Sequence, residues 1–229
     1  MGELIINDKE VVIPGEVIAT GMDYLPAGGV FREQENIIAM QLGLVSVSGR
    51  LIKLIPLSGR YIPKNGDTVI GKVVDIGFSG WRVEIDWAFE ANLSMKDASS
   101  DFIEKKADLT QYYDFGDIIA SQIVHVSGSK IIDLTMRGPG LRKLKGGKII
   151  EVSSCKVPRI IGKQGSMIQL IKEKTGCKIT VGQNGRIWIS GLTSESEMLA
   201  TRAILMIEEN SHHEGLTDKV KEFLESNVK

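Results

Sequence analysis

The chain has 229 residues, of which 42% are hydrophobic and 25% are charged, an ordinary composition for a soluble globular protein. Its length allows one large domain or two to three small ones, at about 100–200 residues per domain. No window approaches 18 consecutive apolar residues, which argues against a transmembrane helix, and the formal net charge of −1 argues against a strongly basic nucleic-acid binder.

The net charge is an average over two opposed parts of the chain. Residues 137–191 hold 12 Lys/Arg and 2 Asp/Glu, a local charge of +10, whereas the remainder holds 16 basic and 27 acidic residues, or −11. Such an asymmetry indicates a local polyanion site. The amino terminus has no basic leader, so we expect no signal peptide, and Cys155 and Cys177 are expected to be reduced intracellular thiols.

Residues 1–63 predict a small all-β domain. Short apolar stretches alternate with glycine turns, at 11–13, 17–19, 36–40, 42–47 and 51–55. No catalytic constellation is visible among them.

Residues 64–137 predict a second β domain. Strands are expected at 68–76, from 80 through the alternating run 81–87, and at 88–93, 117–126 and 130–136. The alternation puts Trp81 and Trp87 on the apolar face. Five short strands with a long acidic connection between the third and fourth fit an OB-fold barrel.

Residues 138–147 are expected to be a basic linker, after which the period changes. Residues 148–211 predict the order strand, helix, helix, strand, strand, helix, with Ser166 as a candidate N-cap of the second helix. A further helix is expected within 212–229. The predicted fold class is therefore mixed: two small β domains, one α/β domain and a C-terminal helix.

The most informative motif is a GxxG loop between two predicted helices. Gly162 and Gly165 have no Cβ to block a ligand, and helix N-terminal amides favour a phosphate there. Lys163 adds a cation, Gln164 adds hydrogen-bond donors, and Ile160 and Ile161 are expected to wall an apolar groove for bases. A glycine-rich turn without a ligand is the alternative. The P-loop pattern of nucleotide-binding proteins, GxxxxGK[ST], is absent, which argues against a nucleotide phosphate site.

The GxxG loop lies within an IIGKxG pattern, and residues 148–211 resemble a type I KH domain. In that family the GxxG loop clamps single-stranded nucleotides. The resemblance implies RNA contacts at 159–165, that is, at Arg159, Ile160, Ile161, Gly162, Lys163, Gln164 and Gly165. Residues 66–76, 115–119 and 134–137 similarly resemble parts of an S1 RNA-binding domain.

The S1 resemblance departs from the family pattern at two positions. Arg82 stands where a stacking Phe is frequent, and Ser94 stands near the usual His. The loss of an aromatic suggests contacts mainly to phosphates, because base stacking contributes roughly 1–3 kcal/mol per base. The candidates for phosphate contact, each also explicable as solvated barrel rim, are Lys72, Arg82, Lys130 and Arg137.

An all-β unit, then S1, then KH resembles the RNA-binding cap subunit of the archaeal exosome and its eukaryotic counterparts. Gly182, Gln183, Asn184 and Gly185 match the GxNG element of that family, which we expect to be structural. The resemblance implies a cytoplasmic, non-catalytic protein without metal or cofactor. Its implied partners are single-stranded RNA, a hexameric ring of phosphorolytic subunits, and copies of itself or of a related cap subunit, with the N-terminal domain docked on the ring and no membrane contact.

Two other functions stay open at this stage. A free-standing RNA-binding regulator or translation-associated factor has the same domains without the assembly. A metal-dependent nuclease needs clustered carboxylates, for which the candidates are Asp97, Asp101, Glu104, Asp108, Asp114 and Asp117. These residues lie in a polar loop with Lys105 and Lys106 among them, and a solvated acidic loop is the simpler interpretation.

Overall fold

The computed structural model describes residues 2–101, 103–104, 107–211 and 215–227. They form two compact units, of which the first ends at Gly59 and the second begins at Arg60. The predicted fold class, with β domains, a five-stranded barrel, a KH domain and a C-terminal helix, is confirmed. The exact domain boundaries given above stay predictions.

The first unit consists of two four-stranded sheets, as its short apolar stretches and frequent turns predict. One sheet has the order β1-β3-β6-β5 and the other β2-β7-β8-β4, and a shared core includes Val12, Ile18, Ile37 and Ile52. The strands are β1 (Glu3–Leu4), β2 (Val11–Val12), β3 (Val17–Thr20), β4 (Leu25–Pro26), β5 (Val30–Glu33), β6 (Asn36–Ala39), β7 (Gly43–Ser48) and β8 (Leu51–Pro56).

The second unit begins with a closed barrel in the strand order β9-β10-β11-β13-β12, in which β12 also pairs with β9. Its strands are β9 (Thr68–Gly77), β10 (Gly80–Glu84), β11 (Ala91–Ser94), β12 (Ile118–Val126) and β13 (Ile132–Thr135). The second strand ends at Glu84, three residues before its predicted end and just before Asp86, which has a left-handed turn conformation (φ 60°), and the third strand begins three residues later than predicted. Parallel pairing of β11 with β13 completes the OB topology.

The long connection between the third and fourth strands covers one side of the barrel. It contains α1 (Met95–Ala98) and a short 3₁₀ helix at Leu109–Gln111. The Trp81 ring packs edge-on against Tyr113, with centroids 5.2 Å apart, and the Trp81 Nε1 donates to the Tyr113 carbonyl at 2.8 Å. Trp81 is therefore a core residue, as the alternation predicts, and Trp87 packs half-buried against the same core.

The basic segment 138–147 contains a strand that the sequence does not predict. This strand, β14 (Arg142–Leu144), extends the barrel sheet by pairing with the first residues of β12. A strand of three residues, two of them basic, is too short to show a clear period, so the pattern alone does not reveal it.

The KH part follows the predicted order of elements. Its antiparallel sheet has the order β15-β17-β16, with helices packed on one face. The elements are β15 (Lys148–Glu151), α2 (Val157–Ile161), α3 (Ser166–Thr175), β16 (Lys178–Val181), β17 (Arg186–Ser190) and α4 (Ser194–Glu209). Helix α5 (Leu216–Asn227) packs on α3 and α4, and residues 212–214 and 228–229 of the predicted C-terminal segment lie outside the described residues.

The other face of the KH sheet packs on the barrel through a separate apolar cluster. Trp188 from β17 lies in one buried cluster with Ile70 from β9, Ala120 from β12 and Leu144 from β14. Strand β14 thus supplies an apolar side chain to the joint between barrel and KH sheet, although its other two residues are basic.

Candidate nucleic-acid interface

The GxxG loop has a backbone that only its two glycines allow at low cost. Gly162 (φ 76°) and Gly165 (φ 81°) both lie in the left-handed half of φ space. A Cβ on Gly162 would lie 2.7 Å from the Met167 Cβ, whereas one on Gly165 would meet no atom within 4 Å. Gly162 is therefore required for packing, and Gly165 leaves open space through which a ligand can approach the backbone.

The loop forms a 3₁₀ turn at Lys163–Gly165 and leads into a helix whose first turn has no side-chain cap. Gly165, and not Ser166 as expected, is the N-cap of the ten-residue α3, and no side chain accepts a hydrogen bond from the first turn. The Gly165 and Ser166 amides donate to the carbonyls of Gly162 and Lys163, so α3 offers an anion the positive end of its dipole and not a full set of free amides. The exposed Lys163 and Gln164 side chains flank this position.

The residues before the loop divide between surface and core. The exposed Arg159 donates from Nε to the Ser211 carbonyl at 3.0 Å. Ile161 is half-buried and can present an apolar surface. Ile160 is fully buried in the KH core, which corrects its expected position as a groove wall. In the five-residue α2, Val157 and Ile160 are three residues apart and both face the interior.

The barrel has an open, largely apolar groove of about 340 Å³ at the turn between β9 and β10. Phe78 at its edge is 95% exposed, an unusual state for a phenylalanine. The groove is lined by Phe78, Ser79, Ser94, Met95, Lys96, Asp101, Ile103 and Arg137. An exposed ring beside two cations is the arrangement that stacks a base and holds its phosphates.

The four cations predicted for the barrel do not converge on one site. Arg137 lies at the groove and donates from Nε to the Ser99 carbonyl at 2.9 Å. Arg82 lies away from it, between Asp75 (3.9 Å) and Glu90 (3.6 Å). Lys72 and Lys130 are exposed, on β9 and in the turn before β13. Arg82 faces a local excess of carboxylates, which disfavours a phosphate contact there.

Two groove residues, Phe78 and Lys96, are absent from the sequence-based prediction. The signal that was available is the tetrad 77–80, in which glycines flank an aromatic residue at a turn between strands. An aromatic residue in a tight turn lies outside the alternating pattern of the strands, which makes it a candidate for a contact with a partner.

The GxNG element joins the KH sheet to the barrel. The Asn184 side chain, 3% exposed, accepts from the Ile70 amide at 3.2 Å and donates to the carbonyls of Ile70 (2.8 Å) and Ile85 (3.0 Å). The Gln183 amide donates to the Thr68 carbonyl at 2.7 Å. These contacts across the barrel–KH interface support the structural role expected for the element.

Gly182 permits this close approach to the barrel, and Gly185 permits a close approach within the KH part. A Cβ on Gly182 would lie 2.9 Å from the Ile70 amide nitrogen. At Gly185, which has a left-handed backbone, a Cβ would lie 2.2 Å from the Val152 carbonyl oxygen. The residues closest to Gly182 and Gly185 lie outside the GxxG loop, so the GxNG element and the GxxG loop have separate structural roles.

An ion pair borders the same interface. The Arg186 guanidinium binds both carboxylate oxygens of Glu84, at 2.8 and 3.1 Å. Partial burial acts to raise the pKa of Glu84, but the hydrogen bonds from Arg186 outweigh it and hold this pKa below its ordinary value. Arg186 is therefore occupied and contributes little free positive charge to the surface.

The acidic loop is organised by hydrogen bonds within the loop. Asp108 caps the 3₁₀ helix by accepting from the Thr110 amide at 3.1 Å, and Asp117 accepts from the Asp114 amide at 2.6 Å. Asp117 also pairs with Lys143. In the part of the chain that the structure describes, which omits residues 102, 105 and 106, no three His, Cys, Asp or Glu side chains are grouped so that they could hold a metal ion.

Two family models match the chain: an S1 domain of the RRP4 type over residues 60–125 and a KH domain over residues 147–209. The exosome complex component Rrp4 of Thermococcus kodakarensis is 43% identical, over all of this chain and 90% of that protein. The protein of the same name from Methanothermobacter thermautotrophicus is 42% identical, over 97% of this chain and 70% of that protein. A solved structure described as an exosome complex RNA-binding protein is 35% identical, with a TM-score of 0.66, over 74% of this chain and 97% of that one.

Proposed function

The chain belongs to the Rrp4 family of exosome components and carries S1 and KH RNA-binding domains, and from this premise we propose how it acts. It captures single-stranded RNA without cleaving it and delivers the 3′ end to the central pore of a phosphorolytic ring, for degradation or processing. The protein is a cap subunit and works beside further copies of itself or a related cap subunit.

The observation that carries this proposal is the open GxxG loop. Gly165 leaves the backbone accessible, the first turn of α3 has no side-chain cap, and Lys163 supplies an exposed positive charge. The loop therefore binds phosphates of the RNA backbone, and the half-buried Ile161 contacts a base. Sequence preference is expected to be weak, because backbone contacts carry no base identity.

The barrel groove supplies a second contact on the same RNA. Phe78 stacks on a base while Arg137 and Lys96 hold the neighbouring phosphates. Asn184 and the cluster around Trp188 fix the barrel against the KH sheet, so the two contacts keep a constant spacing. An RNA tail long enough to reach both gains affinity because its second contact is intramolecular.

Replacing Phe78 with alanine is expected to weaken RNA binding by about tenfold, within the roughly 1–3 kcal/mol of one base–aromatic stack. Fluorescence anisotropy with a labelled, unstructured RNA measures the affinity of the isolated chain. Phe89→Ala is the matched control, because Phe89 is also exposed but lies beside Arg82, away from the groove. Equal affinities for the wild type and the Phe78 variant would show that the groove does not stack a base.

The first unit provides the surface that docks on the ring. Val11, Leu44 and Ile55 are cross-strand neighbours on β2, β7 and β8, and Val11 and Ile55 are more than half exposed. An apolar row of this kind on the outside of a sheet suits a protein interface. None of the described helices is long and apolar enough to cross a membrane. Separately, the proposed site of action is the cytoplasm, on the basis of the family.

Two measurements test the proposal. Native mass spectrometry of the complex recovered from cells with the tagged full chain is expected to identify phosphorolytic ring subunits. Incubation of the purified chain with labelled RNA, with phosphate or with Mg²⁺ or Mn²⁺, is expected to show binding and no shortening. A free monomer in the first assay would favour a free-standing regulator or translation-associated factor, and RNA cleavage in the second would identify an enzyme.

A further inference from the structure

The segment that connects the barrel to the KH sheet carries an unusual concentration of positive charge. Residues 142–148 contain four Lys/Arg and no acidic residue. Strand β14 pairs only with β12, and β15 only with β17, among the described strands, so both are edge strands. We name the exposed cations of this segment, Arg142, Lys145 and Lys148, the basic ridge.

The side chain of Trp188 contacts this segment at two points. The Arg142 guanidinium lies over the Trp188 ring, 5.6 Å from its centroid, and the Trp188 Nε1 donates to the Gly146 carbonyl at 2.7 Å. Lys148 begins β15 and pairs with Ile189, so the alternation of the strand turns its side chain to the opposite face of the sheet from Ile149 and Trp188, where it is exposed. Trp188 therefore anchors Arg142 and the backbone at Gly146, and Lys145 and Lys148 lie on either side of that backbone position in the sequence.

The ridge keeps its charge, whereas several other cations of the basic segment do not. Lys143 is paired with Asp117, Arg186 with Glu84 and Lys174 with Glu225. None of the three ridge cations has an ion-pair partner among residues 2–101, 103–104, 107–211 and 215–227. Unpaired cations side by side repel one another, and an anion removes that cost.

We propose that the basic ridge is a further phosphate-binding site, used by the backbone of the same single-stranded RNA outside the GxxG loop and the barrel groove. The chain runs from Arg137 at the groove to Arg142 within five residues, and the outer edges of β14 and β15 offer amide donors beside the cations. This inference rests on the proposed function, because it assumes that the chain binds RNA.

A different explanation exists for lysines at these positions. Lysine on an edge strand hinders edge-to-edge pairing with a second molecule, and this protects against aggregation. The two explanations differ in what the removal of charge changes: RNA affinity and its salt dependence in one case, self-association in the other.

The test compares Lys145→Gln/Lys148→Gln with the wild-type full chain, using a labelled, unstructured RNA over a range of salt concentrations. Loss of two phosphate contacts is expected to reduce the slope of log K against log salt by about 1.4, and to weaken binding roughly tenfold at low salt. Lys219→Gln/Lys221→Gln on α5 removes the same charge from exposed positions and is expected to leave the slope unchanged.

Each other result overturns the ridge as an RNA site. An unchanged slope in the ridge variant does so, as does an equal change in the α5 variant, which would reflect overall charge alone. Aggregation of the ridge variant with unchanged RNA affinity assigns the lysines to edge protection. If RNA affinity is unchanged but ring subunits are missing from the complex recovered from cells with the tagged ridge variant, the lysines make a protein contact instead. Failure of the wild type to bind RNA refutes the proposed function itself, so the two failures are distinguishable.

Discussion

Asn184→Ala is expected to lower the free energy of unfolding of the second unit by roughly 3–4 kcal/mol. The change removes three hydrogen bonds, and each backbone group left buried without a partner costs about 1–3 kcal/mol. Asn184→Asp keeps the shape but loses both donated bonds and buries a carboxylate, so it is expected to be no milder. Urea denaturation followed by tryptophan fluorescence measures the loss, since Trp81 and Trp188 report on the barrel and on the interface.

The matched control is Asn92→Ala, an exposed asparagine on β11 of the same barrel. Its effect is expected to stay within about 0.5 kcal/mol, as for most surface positions. If Asn184→Ala were as mild as the control, the GxNG element would not join the barrel to the KH sheet energetically, and the constant spacing of the two RNA contacts would lose its basis.

Lys163→Asp/Gln164→Asp is expected to weaken RNA binding by the isolated chain roughly a hundredfold at low salt. The variant removes one cation and places two carboxylates beside the helix amides. The electrostatic interaction of the loop with an RNA phosphate therefore changes from attraction to repulsion. The fold is expected to persist, because Gln164 has a left-handed backbone (φ 53°), which aspartate tolerates well. Anisotropy titration of the isolated chain is the measurement, because a multi-copy cap masks the loss through avidity.

The control for this variant changes the charge equally at a remote site. Thr217→Asp/Lys219→Asp on α5 also changes the net charge by −3 and lies at exposed positions. It is expected to weaken binding by less than about threefold, because distant exposed charges are screened. Equal losses in both variants would mean that the GxxG loop makes no specific contact with RNA.

Local patterns revealed much of the fold and the central motif of the site. The GxxG loop, the strand–helix order and the five barrel strands all depend on residues close together in sequence, where period and turn chemistry are informative. The same reasoning put Ile160 on a groove wall and Ser166 at the N-cap. Both expectations were wrong because the packing of α2 and the backbone of Gly165 decided them.

The features that the sequence did not reveal depend on strand pairing and on packing between elements. Arg82 lies beside Asp75, its partner across β9 and β10, and beside Glu90, and the partners of Asn184 lie about a hundred residues away. Strand β14 is defined by its partner β12 and has little pattern of its own. The proposed role of Phe78 in base stacking becomes apparent only from the groove that it lines.

The charge of +10 counted for residues 137–191 overstates the positive charge that is available, because some of these cations form ion pairs with residues elsewhere in the chain. Lys143, Lys174 and Arg186 are paired with carboxylates. The positive charge available to a polyanion is therefore smaller than the sequence count. It is carried by particular side chains, among them Lys163 and the ridge lysines.

Photo-crosslinking tests the central claim, RNA capture by the GxxG loop and the barrel groove, most directly. The full chain is crosslinked to an unstructured RNA containing 4-thiouridine, digested, and analysed by mass spectrometry for modified peptides. We expect crosslinks on peptides that contain Phe78 and on peptides that span residues 159–165. Crosslinks confined to the first unit, or none at saturating RNA, would contradict the account.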